Sequence, residues 1–106
     1  MRKRLGLVYF VYINPEKNWK RLVSGQLCDV VSTSVLDEAD LYIEVSNPKN
    51  VAGVSEFFKS LDIASEVKIH TENAFEYYGL HKVWELAQTE KYDFVAYFHT
   101  KGMSYV

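Results

Sequence analysis

The stretch Leu5-Gly6-Leu7-Val8-Tyr9-Phe10-Val11-Tyr12-Ile13, followed by Asn14-Pro15-Glu16-Lys17-Asn18, decides the fold. Behind Met1-Arg2-Lys3-Arg4, its apolar part imitates the charged and hydrophobic regions of a signal peptide. It falls far short of the roughly 20 residues a bilayer span needs, and no small-residue cleavage site follows. Its β-branched and aromatic enrichment reads instead as a buried strand, with residues 1–4 as a solvated, disordered tail. Asn14 to Asn18 then stops the strand and opens a helix, because Asn caps well and proline is tolerated in a first turn where its missing donor is not needed. Trp19, Leu22, Val23, Leu27, Val30 and Val31 recur at spacings of three and four, the mark of one apolar helical face. Gly25 lies within that helix at a cost of about 1 kcal/mol relative to alanine, and Ser32-Thr33-Ser34 ends it.

The same strand-then-helix unit recurs. Asp40 to Val45, bounded by Ser46-Asn47-Pro48, reads as a second strand. Val51, Val54, Phe57, Phe58 and Leu61 mark a second amphipathic helix. Glu66-Val67-Lys68-Ile69-His70 alternates strictly, as a third strand does. Leu80, Val83, Trp84 and Ala87 mark the apolar face of a third helix with Gly79 near its start, and Tyr92 to Phe98 is a nearly continuous apolar fourth strand. The order β-α-β-α-β-α-β predicts a three-layer α/β domain over 1–106, with a mostly parallel four-stranded sheet and helices on both faces, since each parallel crossover needs a long connection. Ligands in such sheets bind outside the carboxyl ends of the strands. The positions to interrogate are therefore Tyr12-Ile13-Asn14, Val45 to Asn47, His70 to Asn73 and His99 to Gly102.

Composition narrows the function. The chain has 106 residues, 12 Lys+Arg against 14 Asp+Glu, a net charge of -2 and 48% hydrophobic residues. That is one domain with enough apolar material for a core, and without the positive field that nonspecific nucleic-acid binding requires. Neither a nucleic-acid partner nor a membrane span is expected. The single Cys28 cannot form an internal disulfide, which suits a reducing compartment and a cytoplasmic location.

No G-x-G-x-x-G follows the first strand, and neither G-x-x-x-x-G-K-[ST] nor C-x-x-C occurs, which removes dinucleotide, P-loop and thioredoxin-like chemistry. A phosphoacceptor receiver needs acidic residues where this chain has Asn14 and His70-Thr71. His70, His81 and His99 lack close metal-ligand spacing. His99-Thr100-Lys101-Gly102 differs, because it combines polar groups with glycine where a strand releases the chain. Such a turn can offer backbone donors, a hydroxyl and a cation to a phosphate; it can equally be a strand-ending turn with a surface lysine.

The string Tyr97-Phe98-His99-Thr100-Lys101-Gly102-Met103-Ser104 resembles a signature of a group of bacterial and large-virus glycosyltransferases of the GT-A fold. Tyr9 to Ile13, Asn18-Trp19 and Gln26-Leu27 are similar to that group's opening strand and first helix. Asn73, Glu76, Gly79-Leu80 and Trp84-Glu85-Leu86-Ala87 are similar to the stretch before the signature.

The resemblance implies a Rossmann-like half-domain with strand order 3-2-1-4 that binds a UDP- or GDP-linked sugar for transfer to a glycan or glycoprotein acceptor. It places Tyr12, Ile13 and Asn14 beside the base and ribose, with Glu72, Asn73 and Glu76 near the ribose or the mouth of the sugar site. His99, Thr100, Lys101 and Gly102 fall where many members carry an acidic D-x-D that holds Mg2+ or Mn2+ on the donor diphosphate. With H-T-K there, either His99 helps to hold a cation or Lys101 supplies part of its charge neutralisation, the second being favoured. The family has a second part of similar size after the signature, so the resemblance implies a domain incomplete at its C-terminus and fixes no catalytic base. The competing expectation is a noncatalytic α/β module that self-associates as a homo-oligomer.

Overall fold

A computed structural model of the protein describes residues 3–73 and 76–100. Four strands form one all-parallel sheet in the order β3-β2-β1-β4: β1 is Leu5–Tyr12, β2 Ala39–Ser46, β3 Glu66–His70 and β4 Phe94–His99. The helices α1 (Trp19–Ser32), α2 (Val54–Lys59) and α3 (Tyr77–Thr89) connect them in turn. The expected α/β class, element order and 3-2-1-4 arrangement are thus all present.

The central strands β1 and β2 are covered on both faces, and the pleat divides their side chains between two unlike layers. Leu7, Tyr9 and Val11 of β1 join Leu41, Ile43 and Val45 of β2, together with Trp19, Val23 and Leu27 of α1 and Val54 and Phe58 of α2, in the larger apolar core. The opposite face holds a smaller cluster of Val8, Tyr42, Leu86 and Tyr92 under α3. That second face is also polar: Tyr92 Oη donates to Asp40 Oδ2 (2.6 Å) and bonds to the Tyr42 hydroxyl, while Lys82 Nζ lies 2.6 Å from Glu66 Oε2. Glu44 Oε1 pairs with His70 Nε2 at 2.8 Å, and the His70 ring stacks on Tyr78.

Two local expectations are corrected. The first concerns the start of α1. Asn14 to Lys17 forms a turn of its own, with Lys17 N donating to Asn14 O and Glu16 N to the Asn14 Oδ1, so Pro15 precedes the helix and Asn18 is the cap, accepting from Arg21 N. The second concerns α3. Its buried residues are Gly79, Lys82 and Leu86, while Leu80 and Trp84 are 54% and 59% exposed and Ala87 also faces outward. Glycine sets the rotation: a Cβ on Gly79 would sit 2.7 Å from a Tyr97 ring carbon and 2.8 Å from Phe10 Cβ, so the helix lies closest to the sheet there. Lys82 then faces inward, which its ion pair with Glu66 makes tolerable. As the 3-2-1-4 order expects, β4 lies at a sheet edge: among the described residues it pairs only with β1, and Phe94 at its start is 64% exposed.

The amino-terminal residues within the described range are engaged. Lys3 Nζ donates to the carbonyls of Leu36 and Asp37, and Arg4 Nε to Asp93 Oδ2. No helix among the described residues is long and apolar enough to cross a membrane.

Candidate functional site

The carboxyl ends of β1 and β4, the first turn of α1 and the segment before α3 enclose a cleft of about 570 Å3. Its apolar wall is Phe10, Tyr12, Trp19 and Leu22. Asn14, Asn18, Asn73 and Thr100 supply neutral polar groups, and Lys17 and Glu76 one charge of each sign. A concave, mostly apolar site with a few convergent polar groups is the usual form of a small-molecule pocket.

Each wall follows from local structure. Beyond the last β1–β4 pair, Tyr12 N donates to Thr100 Oγ1 at 3.1 Å, which holds the two strand ends together and buries the threonine. Because the Asn14 Oδ1 is engaged by Glu16 N, its amide N–H groups are the part left to meet a ligand. Trp19 reaches the cleft from the first residue of α1 while its ring packs edge-on against Phe57 and parallel to Phe58. Glu76, at the N-terminal end of α3, accepts from Tyr97 Oη at 2.7 Å, and His99 Nε2 stands 3.8 Å from the same carboxylate oxygen. Burial, with the Glu76 hydrogen bond and charge added to it, pushes the Tyr97 phenol well above the ordinary tyrosine range, so it remains a donor.

Five of the residues expected at a ligand site therefore meet in one cleft: Tyr12, Asn14, Asn73, Glu76 and Thr100. Ile13 does not join them. It is fully buried in the larger core and donates its N–H to Ser46 O, because the period of two turns its side chain away from its neighbours'. Glu72 is exposed and lies outside the lining; its backbone carbonyl accepts from Ser46 Oγ and its carboxylate from the Tyr78 hydroxyl. His99 flanks the cleft behind Glu76. Lys101 and Gly102 lie outside the described residues. Among the other strand ends, Asn47 is structural, its amide bracketing the Val51 peptide through Oδ1 and Nδ2. The α1 contribution, Lys17 to Leu22, was missed as a lining group. Its signal is positional, since the first turn of a helix after β1 must border the same crevice.

Among the described residues no three His, Cys, Asp or Glu side chains converge to hold a metal ion. The His99–Glu76 pair offers two groups at 3.8 Å, with one carboxylate oxygen already taken by Tyr97. Mg2+ and Mn2+ want several oxygen ligands at close to 2.1 Å, and the described residues do not fit that demand.

The chain matches no protein-family model, no curated protein and no solved structure.

Proposed function

We propose that the chain binds a UDP- or GDP-linked sugar as the donor-binding part of a cytoplasmic glycosyltransferase that passes the sugar to a glycan or glycoprotein acceptor. The supporting observation is the convergence of Tyr12, Asn14, Asn73, Glu76 and Thr100, drawn from three separate segments, around one cleft at the carboxyl ends of β1 and β4. In this reading the aromatic wall receives the base, and the Asn14 amide donates to a base or ribose oxygen. Glu76 accepts from ligand hydroxyls, and Thr100, Lys101 and Gly102 are assigned to the diphosphate. Lysine suits that last role as a point charge for phosphate.

The test is a titration with UDP-glucose, UDP-galactose and GDP-mannose, each with and without Mn2+, followed by tryptophan emission and melting temperature. Trp19 lines the cleft and Trp84 is exposed on α3, so the variant Trp84→Phe leaves Trp19 as the reporter. The expected outcome is a saturable change in Trp19 emission and a raised melting temperature with at least one of the three. In the same assay Lys101→Ala should weaken UDP-glucose more than uridine. No response to any sugar nucleotide overturns the reading.

The exposed row Tyr77, Leu80 and Trp84 on α3 favours a second reading, a noncatalytic self-associating module. Concentration-dependent sedimentation that no sugar nucleotide alters would select it.

A further inference from the structure

Two parts of the sequence separated by about twenty residues, Glu76 with Gly79 and Tyr97 with His99, meet beside the cleft that Glu76 lines. The site as described above uses only Glu76. Tyr97 lies on β4, paired with Val8 of β1, and its ring runs beneath the first turn of α3. It has room there because residue 79 has no side chain: a Cβ would stand 2.7 Å from Tyr97 Cε1 and 3.0 Å from its hydroxyl oxygen. Passing under the helix, the ring delivers its hydroxyl to Glu76 Oε1 at 2.7 Å, three residues before the glycine. Glu76 itself gets no other help from the helix end, since it stands at the cap position without capping through its side chain.

We propose that Tyr97 is a positioning residue that fixes the Glu76 carboxylate in the cleft, and that Gly79 is glycine because any larger residue would displace the tyrosine that does so. The chemistry follows from the lone pairs. A carboxylate has about four acceptor sites and no donor, so a single phenol O–H on Oε1 orients the group and leaves Oε2 to accept from a ligand hydroxyl. A free glutamate at a helix start would sample several rotamers; one held from below presents a single acceptor direction and loses less entropy on binding. The cleft should accordingly prefer a hydroxyl-bearing group, such as a diol, at this end and reject an anionic one. The ligand's identity rests on the function proposed above; the Tyr97–Glu76 arrangement does not.

Two measurements separate these. Without ligand, 13Cζ-tyrosine NMR across alkaline pH follows Tyr97, assigned by its loss in Tyr97→Phe. In Glu76→Gln, which removes the charge beside it, the Tyr97 signal should begin to titrate at lower pH than in the wild type. An unchanged titration overturns the proposal whatever the chain binds. With ligand, UDP-glucose affinity is measured for the wild type, Tyr97→Phe, Glu76→Ala and the double variant. Tyr97→Phe alone should weaken binding about fivefold to tenfold, in line with the net loss of one ordinary hydrogen bond, since the phenol acts on the ligand only through Glu76. In the Glu76→Ala background it should change little. Equal losses in both backgrounds would mean that Tyr97 acts through general packing, and would overturn the proposal. A protein that binds no sugar nucleotide yet shows the expected Tyr97 shift refutes the ligand assignment and upholds the positioning role. Gly79→Ala extends the test, because it should shift the Tyr97 resonance itself.

Discussion

Gly25 and Gly79 both lie inside helices, and the room around each decides opposite outcomes for the same substitution. Nothing lies within 4 Å of a Cβ placed on the exposed Gly25. Gly25→Ala should therefore gain most of the helix-propensity difference, about 0.5 to 1 kcal/mol, partly by restricting the unfolded chain. At Gly79 the same gain meets a Cβ at 2.8 Å from Phe10 Cβ, an atom close to the backbone that cannot swing aside. Overpacking of this kind costs roughly 1 to 3 kcal/mol. Gly79→Ala should come out destabilising by about 1 to 2 kcal/mol once the propensity gain is subtracted. Urea denaturation of the two variants beside the wild type checks both signs, and a stabilised Gly79→Ala would refute the close approach of α3. Glu44 shows a different residue-level conflict. It is almost wholly buried, its Oε2 has no hydrogen-bond partner, and burial raises its pKa against the opposing pull of His70 and Lys82. The His70 contact on Oε1 and the cations nearby are what keep a carboxylate tolerable there.

At the scale of the element, α3 tests how hydrophobic periodicity should be used. Leu80, Val83, Trp84 and Ala87 satisfy the helical spacing, yet Leu80, Trp84 and Ala87 point away from the sheet. The helix carries two stripes, and the inner one runs through Gly79, Lys82 and Leu86, which a hydrophobicity pattern undervalues because glycine has no side chain and lysine carries a charge. Leu86→Ala should cost about 2 to 4 kcal/mol as a buried large-to-small change, whereas Trp84→Gln should stay within about 0.5 kcal/mol. Thermal or urea melts decide this, and a Trp84→Gln variant as unstable as Leu86→Ala would restore the sequence-based orientation. Sedimentation of Trp84→Gln shows in addition whether the outer stripe holds copies together. The strands were more legible than the helices. Strict alternation in Glu66 to His70 and the dense apolar run of β1 follow from the pleat alone, whereas the phase of α3 depends on Phe10 and Tyr97, contributed by distant segments. The site divides in the same way. The strand-end rule found Tyr12, Asn14, Asn73 and Thr100, and Glu76 came only through the family resemblance, while Trp19 and Leu22 read only as core until the first turn of α1 was placed beside β1.

For the whole molecule, the unlike faces of the sheet govern the response to pH. The α1–α2 face is apolar except at Tyr9, whose hydroxyl donates to Gln26 Oε1 at 2.6 Å, and burial raises its pKa beyond the ordinary range. On the α3 face burial likewise raises Tyr92, with Asp40 and Tyr42 adding to it, and raises Tyr97 above Glu76. Burial alone would lower Lys82, but its hydrogen bond and charge pairing with Glu66, aided by Glu85 and Glu44, turn the net shift upward. All four groups hold their protons more tightly folded than unfolded. Their contribution is therefore fully present below the unfolded values of about 10 to 10.4, and is lost as pH rises through the folded ones. Glu44 is also raised, but it titrates in the acid range, so its contribution is fully present below about 4.3 and is lost as pH rises through its raised folded value. Unfolding free energy measured in urea should accordingly stay level through neutral pH and fall steeply above about pH 10, by up to roughly 1.4 kcal/mol per pH unit for each group whose unfolded form has lost its proton. Tyr92→Phe removes one such group. The variant should start about 1 kcal/mol less stable at pH 7 for its lost hydrogen bonds and then decline less steeply than the wild type, the two curves converging as the pH rises. Curves that remain parallel from pH 9 to 11 would mean that Tyr92 ionises as easily folded as unfolded, and that the polar network beneath α3 is open to water.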